Sequence, residues 1–175
     1  MSIPSLKLHL GCGEKHIDGF VNIDSRDGPN VDLVCDINHL HYHPSSVDTI
    51  YMCHSLEHIP MLEVVSTLKR LNSLLVPDGR LYISVPDFEV LASLYLSRRV
   101  TLSSIVRAIH GGQEYPGNTH YMSYDHSILS STLLSCGFSS VINYSPQEFL
   151  PIGFTDTSTY KIGGKFISLN MCAIK

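Results

Sequence analysis

The chain has no CxxC pair, no Lys/Arg cluster longer than two residues, no internal repeat and no low-complexity linker. Each absence excludes something. The five cysteines (Cys12, Cys35, Cys53, Cys136, Cys172) are odd in number and widely spaced. They read as free thiols in a reducing cytoplasm, not as a disulfide framework. Without basic clusters there is no electrostatic footprint for nucleic acid or for an anionic membrane surface. One lysine precedes the Gly-Cys-Gly turn at residues 11–13, so no secretory leader is expected. Ser127–Gln147 is a 21-residue stretch free of Asp, Glu, Lys and Arg, but seven serines, Gly137 and Pro146 make it unfit as a membrane span. The expectation is a soluble, cytoplasmic protein.

What is present fits one domain, residues 1–175, with 43% hydrophobic residues. A chain of this length buries roughly 70% of its unfolded surface, so its core needs no crosslinks. Twelve basic and sixteen acidic residues give a net charge of −4. Residues 100–175 carry four of each sign, so the whole acidic excess lies in the first hundred. An acidic half suits a site for a cationic ligand.

Short apolar runs alternate with helical patterns. Strands are predicted at Leu6–Leu10, Phe20–Asp24, Val31–Cys35, Val47–Cys53, Arg80–Val85, Ser140–Tyr144 and Phe166–Ile174. Met61–Leu75 carries an apolar stripe at helical spacing between Pro60 and the breaker Pro77-Asp78-Gly79. Further helices are expected from Asp87 to about Leu96 and over Ser127–Cys136, the latter ended by Gly137. Residues 97–126 look least regular. Alternation of this kind implies an α/β, Rossmann-like, doubly wound and mostly parallel sheet with both faces covered. Only nine residues, Gly11–Gly19, separate the first two strands. A parallel crossover normally needs at least 10–12, so the first helix must be shortened or missing.

The main chemical signal is LHLGCG at residues 8–13 with Asp24 at the end of the next strand. Glycine there lets the backbone turn sharply against a ligand, and a carboxylate one strand away can accept both hydroxyls of a ribose. A dinucleotide fingerprint would need glycine at position 16, where His16 stands. A missing helix also removes the usual seat for pyrophosphate. A nucleoside cofactor without phosphates fits better.

These segments resemble the class I S-adenosylmethionine (SAM)-dependent methyltransferases, in particular a small predicted-methyltransferase branch of type 11. LHLGCG, GFVNIDS, VDLVCDI, VDTIYMCHSLEHI, LKRLNSLLVPDGRLYISVPD, the segment from His110-Gly111-Gly112-Gln113 to His120, and LLSCGF occur in the family's order. The resemblance implies seven strands with an antiparallel last one, and SAM as cofactor across the ends of strands one to four. It places Gly11, Cys12 and Gly13 against the methionine moiety and Asp24, with Ser25, at the ribose. Asp36 and Ile37 fall beside the adenine, and Cys53 and His54 on the floor near the sulfonium. Lys15 departs from the family pattern, standing where many relatives have a third glycine. Residues 97–126 would form the substrate lid, and a small-molecule or sugar-containing acceptor is expected. His54, His120 and Asp87 are the candidates for a general base.

Other readings stay open. A SAM-fold binding or partner protein without catalysis is one, and a nucleotide-sugar or dinucleotide enzyme is another. His54-Ser55-Leu56-Glu57-His58 matches the HxxEH zinc pattern, but Pro60 would break the helix that pattern needs. His39, His41 and His43 read as a polar loop, and no metal is assigned. The apolar final run is either a central strand or the seam of a homodimer.

Overall fold

The computed structural model describes residues 5–175. Seven strands form one sheet in the order β3-β2-β1-β4-β5-β9-β6. They are β1 (Lys7–Leu10), β2 (Val21–Asp24), β3 (Leu33–Val34), β4 (Val47–Cys53), β5 (Leu75–Pro86), β6 (Ser140–Asn143) and β9 (Ser168–Ile174). β7 (Lys161–Ile162) and β8 (Lys165–Phe166) make a separate two-residue hairpin. Pairing is parallel from β3 to β5, while β9 runs antiparallel to both β5 and β6. The apolar run at the C-terminus is therefore a central strand, with both edges occupied. Neither of its edges is free to pair with another strand.

Alternating side chains give the sheet two different faces. Leu8, Leu10, Ile23, Ile50, Met52, Leu81 and Ile83 are fully buried in the main core with α1 (Val64–Leu74) and α4 (His126–Ser135). α1 presents Val64, Leu68, Leu71 and Leu74 to that core at helical spacing. The opposite face carries His9, Asn22, Tyr51, Tyr82 and Ser84, and its cover is thin: the 14–20 crossover and the segment around α5 (Pro146–Phe149). Phe149 stacks on Tyr82 at a centroid distance of 3.8 Å.

The thin cover follows from the short crossover. Residues 11–20 form turns and no helix, so their backbone polar groups lack helical partners. Asn22, fully buried on β2, supplies them. Its Oδ1 accepts from the Ile17 N–H at 2.9 Å, and its Nδ2 donates to the carbonyls of Ile17 and Phe20, both at 3.2 Å. Nδ2 also donates to Asp32, and Oδ1 faces His9 Nδ1 at 3.0 Å. One amide thus replaces a helix's hydrogen bonding.

Three expectations need correcting. β5 begins at Leu75, not Arg80: Pro77-Asp78-Gly79 forms a bulge inside the strand, where pairing jumps from Val47–Leu75 to Thr49–Arg80. A breaker triplet is tolerated there because Asp78 adopts a left-handed φ of 63°. Helix α1 starts three residues later than the stripe implied, which leaves Met61 and Leu62 exposed. Residues 97–126 are not uniformly irregular either. They hold α3 (Leu102–His110), whose Ile105 packs on Leu91 and Leu94 of α2 (Phe88–Leu96).

Candidate active site

The carboxyl ends of β1, β2 and β4 open into a cleft of about 710 Å³, within the range of small-molecule sites. Gly11, Cys12, Gly13, Asp24, Ser25, Asp36, Ile37, Cys53 and His54 all line it. The cleft therefore gathers every residue the sequence assigned to cofactor. Five carboxylates (Glu14, Asp24, Asp36, Glu63, Asp156) face two cations (Lys15, Arg26) across it, a balance that favours a cationic ligand.

Gly11 has φ 66°, and a Cβ on it would lie 2.1 Å from Ser55 Oγ. Both the backbone and the space demand glycine. Gly11→Ala is expected to lower stability by at least about 2 kcal/mol through left-handed strain and overpacking. Thermal unfolding checks this, and replacing Ser55 with glycine as well should restore part of the loss. Gly13 also has a positive φ, of 55°, but a Cβ there would meet nothing within 4 Å. Its open side faces the cleft.

Asp24 is 7% exposed. Its Oδ2 accepts from the Gly13 N–H at 2.8 Å and its Oδ1 from the Arg26 N–H at 2.9 Å. The Arg26 side chain also approaches, with Nε 3.5 Å from Oδ1, but a carboxylate offers about four acceptor positions, so capacity remains for a ligand. Asp36 caps the 3₁₀ turn Ile37–His39 by accepting from the Asn38 N–H at 2.7 Å, which brings Ile37 to the rim. Arg26 lies over the Tyr115 ring at 4.3 Å, joining the exit of β2 to the 111–125 segment. Tyr115, Pro116 and Gly117 of that segment line the cleft, as do Asp156 and Thr157. These last five were not singled out in the sequence, where only the 97–126 segment holding the first three stood out.

The floor is built around His54, held at a left-handed φ of 49°. Ser168 Oγ donates to the Thr157 carbonyl at 2.8 Å, so its contact with His54 Nε2, also 2.8 Å, must be donated by the imidazole. Nδ1 stands 3.1 Å from Glu57 Oε1. With both nitrogens engaged, His54 orients the floor and has no free lone pair facing the cleft. Glu57 is completely buried. Burial pushes its carboxyl up, but the His54 contact and the neighbouring imidazoles outweigh this and hold it below its ordinary value. Residues 54–58 form no α-helix, only the 3₁₀ turn Leu56–His58, so the two histidines of HxxEH do not share a helical face.

The other two base candidates lie away from the cleft. Asp87 caps α2, its Oδ1 accepting from the Val90 N–H at 3.2 Å. His120 stands behind the lining, with Nε2 4.0 Å from Glu57 Oε1.

This architecture matches known proteins. The methyltransferase-domain family matches residues 15–83. The fold is similar to that of 1,6-didemethyltoxoflavin-N1-methyltransferase from Burkholderia thailandensis, solved with 1,6-didemethyltoxoflavin and S-adenosylhomocysteine. That likeness has a TM-score of 0.60 at 16% identity and covers 98% of this chain and 71% of that one. The chain is thus similar to the methyltransferase-domain family over residues 15–83 and shares the fold of SAM-dependent methyltransferases. A SAM-dependent methyltransferase from Archaeoglobus fulgidus is also similar, with TM-score 0.59, 14% identity and coverage of 98% and 86%. A third, from Mesorhizobium loti, has TM-score 0.55 and 13% identity, with coverage of 100% of this chain and 94% of that one. A comparison with curated protein sequences gave no match. No helix among the described residues is long and apolar enough to cross a membrane.

Proposed function

We propose that the protein transfers a methyl group from SAM to a small-molecule or sugar-containing acceptor. The observation that carries this reading is Asp24: a buried carboxylate at the end of β2 with acceptor capacity beyond its two backbone hydrogen bonds, beside the Gly11–Gly13 turn. The residues present fit the cofactor. Asp24 would hold the ribose hydroxyls, and Ile37 and Asp36 would flank the adenine. Gly11, Cys12 and Gly13 would accept the methionine moiety, with Cys53 and His54 beneath the sulfonium. The acidic lining suits a ligand whose sulfur and amino group are both cationic.

When bound, SAM supplies an electrophilic methyl group, so the protein's task is alignment and exclusion of water. The 111–125 segment, tied to Arg26 through Tyr115, would cover the acceptor. The excess of carboxylates disfavours a polyanionic acceptor, which supports a small one. The crossover has no helix N-terminus at which a dinucleotide's pyrophosphate would sit. Titration calorimetry with S-adenosylhomocysteine, NADH and a nucleotide sugar tests the reading. Heat from the first alone is expected, and heat only from either of the others would reject it.

A methyl donor endangers nearby thiolates, because a thiolate is itself a nucleophile. Cys12 is pushed up to about 11 by burial and by the Asp24 charge. Cys53 is raised by burial and by Asp156. Both therefore stay as unreactive thiols. Alkylation with iodoacetamide at pH 7.5, read by mass spectrometry, should label Cys35 first, since Cys12, Cys53, Cys136 and Cys172 are all buried.

A further inference from the structure

We propose that Glu57, His58 and His120 form a site for one divalent transition cation of the Zn²⁺ type, fastening the 111–125 segment to the exit of β4. Each offers one ligand atom, and these three atoms lie within 4.8 Å of one another. The inference stands apart from the SAM reading, since none of its evidence concerns the nucleoside side of the cleft.

Glu57 is 0% exposed, and neither of its oxygens receives a hydrogen bond of proper geometry, although His54 Nδ1 approaches Oε1 to 3.1 Å. A buried carboxylate whose one close polar contact is a poorly aligned imidazole is costly unless a cation compensates it further. The two imidazoles are anchored to backbone. His58 Nδ1 lies 3.1 Å from the Thr119 carbonyl and His120 Nδ1 3.1 Å from the Ala108 carbonyl. A carbonyl only accepts, so both Nδ1 atoms carry the proton. Each ring nevertheless keeps an Nε2 lone pair while neutral. Backbone-anchored Nδ1–H is the arrangement that orients histidine as a metal ligand.

His120 Nε2 then points a lone pair at Glu57 Oε1 across 4.0 Å. Two acceptors facing one another are repulsive unless a cation lies between them. With bonds of about 2.0–2.1 Å, tetrahedral ligands sit about 3.3 Å apart, so the pair need close by less than 1 Å. Two imidazoles and one carboxylate suit Zn²⁺ and leave a fourth position for water or another oxygen ligand. His58 also lines the cleft, which places the site at the acceptor's edge.

The test uses the full chain, stripped with chelator and titrated with Zn²⁺ and, separately, Co²⁺. One equivalent per chain, four-coordinate Co²⁺ absorption bands and a thermal upshift of about 5–10 °C at a hundredfold excess over Kd are expected. His120→Ala and Glu57→Gln should each weaken binding about 100-fold or more, while His41→Ala and His43→Ala should not alter it. Should Glu57→Gln fail to fold, His120→Ala and the Co²⁺ spectrum still decide. The proposal is overturned if no equivalent binds more tightly than about 100 µM. It is equally overturned if binding survives His120→Ala and is lost with His41 and His43; His54 alone would then balance Glu57.

Discussion

Asp24→Ala removes S-adenosylhomocysteine binding, weakening it by at least about 100-fold. Two hydrogen bonds to a charged acceptor contribute about 1.5–3 kcal/mol each, and each 1.4 kcal/mol is a factor of ten. The substitution also frees the Gly13 N–H, which Asp24 Oδ2 holds at 2.8 Å, so the turn that faces the ligand loses its anchor. Asp24→Asn separates the two effects. It keeps an oxygen for Gly13 but loses the charge and one acceptor, so binding should weaken while the fold is retained. Calorimetry on both variants, with unfolding curves as control, measures this. Wild-type affinity in Asp24→Ala would remove Asp24 from the site.

The largest stability effect is expected at Asn22. Asn22→Leu strands the Ile17 N–H and the Phe20 carbonyl, which Asn22 satisfies in the helix-free crossover, while the Ile17 carbonyl keeps the Phe20 N–H. Unsatisfied buried groups cost about 1–3 kcal/mol each, so a loss of about 3–5 kcal/mol and a fall in Tm of about 10 °C are expected. The change also reaches Asp32, whose carboxyl is held below its ordinary value by the Asn22 backbone N–H and side-chain amide. A depressed carboxyl contributes stability above the usual carboxylate range and loses it as pH falls through the lowered value. Asn22→Leu retains the backbone donor but not the amide. The Asp32 carboxyl should therefore move up toward its ordinary value, and acidification should cost the variant less than the wild type. NMR titration and pH-dependent unfolding test the two parts separately.

Local signals carried much of this protein into its sequence. β1, the glycine turn and Asp24 are adjacent or one short crossover apart, so apolar runs and turn chemistry suffice to place them. The count of nine residues in that crossover foretold the missing helix, because a parallel connection cannot hold one in so few. The device that compensates for it was hidden. Nothing in an asparagine within an apolar strand announces that its amide will serve a turn. Leu75–Arg80 misled for a related reason: Pro-Asp-Gly reads as a break, yet the neighbouring strand absorbs it as a bulge. The weakest legibility was at long range. Glu57 and His120 meet only through the fold, and Asp156 reaches the cleft from a loop far along the chain. Asp87 looked chemical by its position after β5, but a residue there is equally placed to cap the following helix.

The central claim is that the cleft above β1, β2 and β4 holds the methyl donor. A crystal structure of the full chain grown with S-adenosylhomocysteine tests it most directly. The expected density has ribose hydroxyls on Asp24, adenine against Ile37 and the amino-acid moiety along Gly11–Gly13. Ligand bound elsewhere, or none at saturating concentration, would contradict the account.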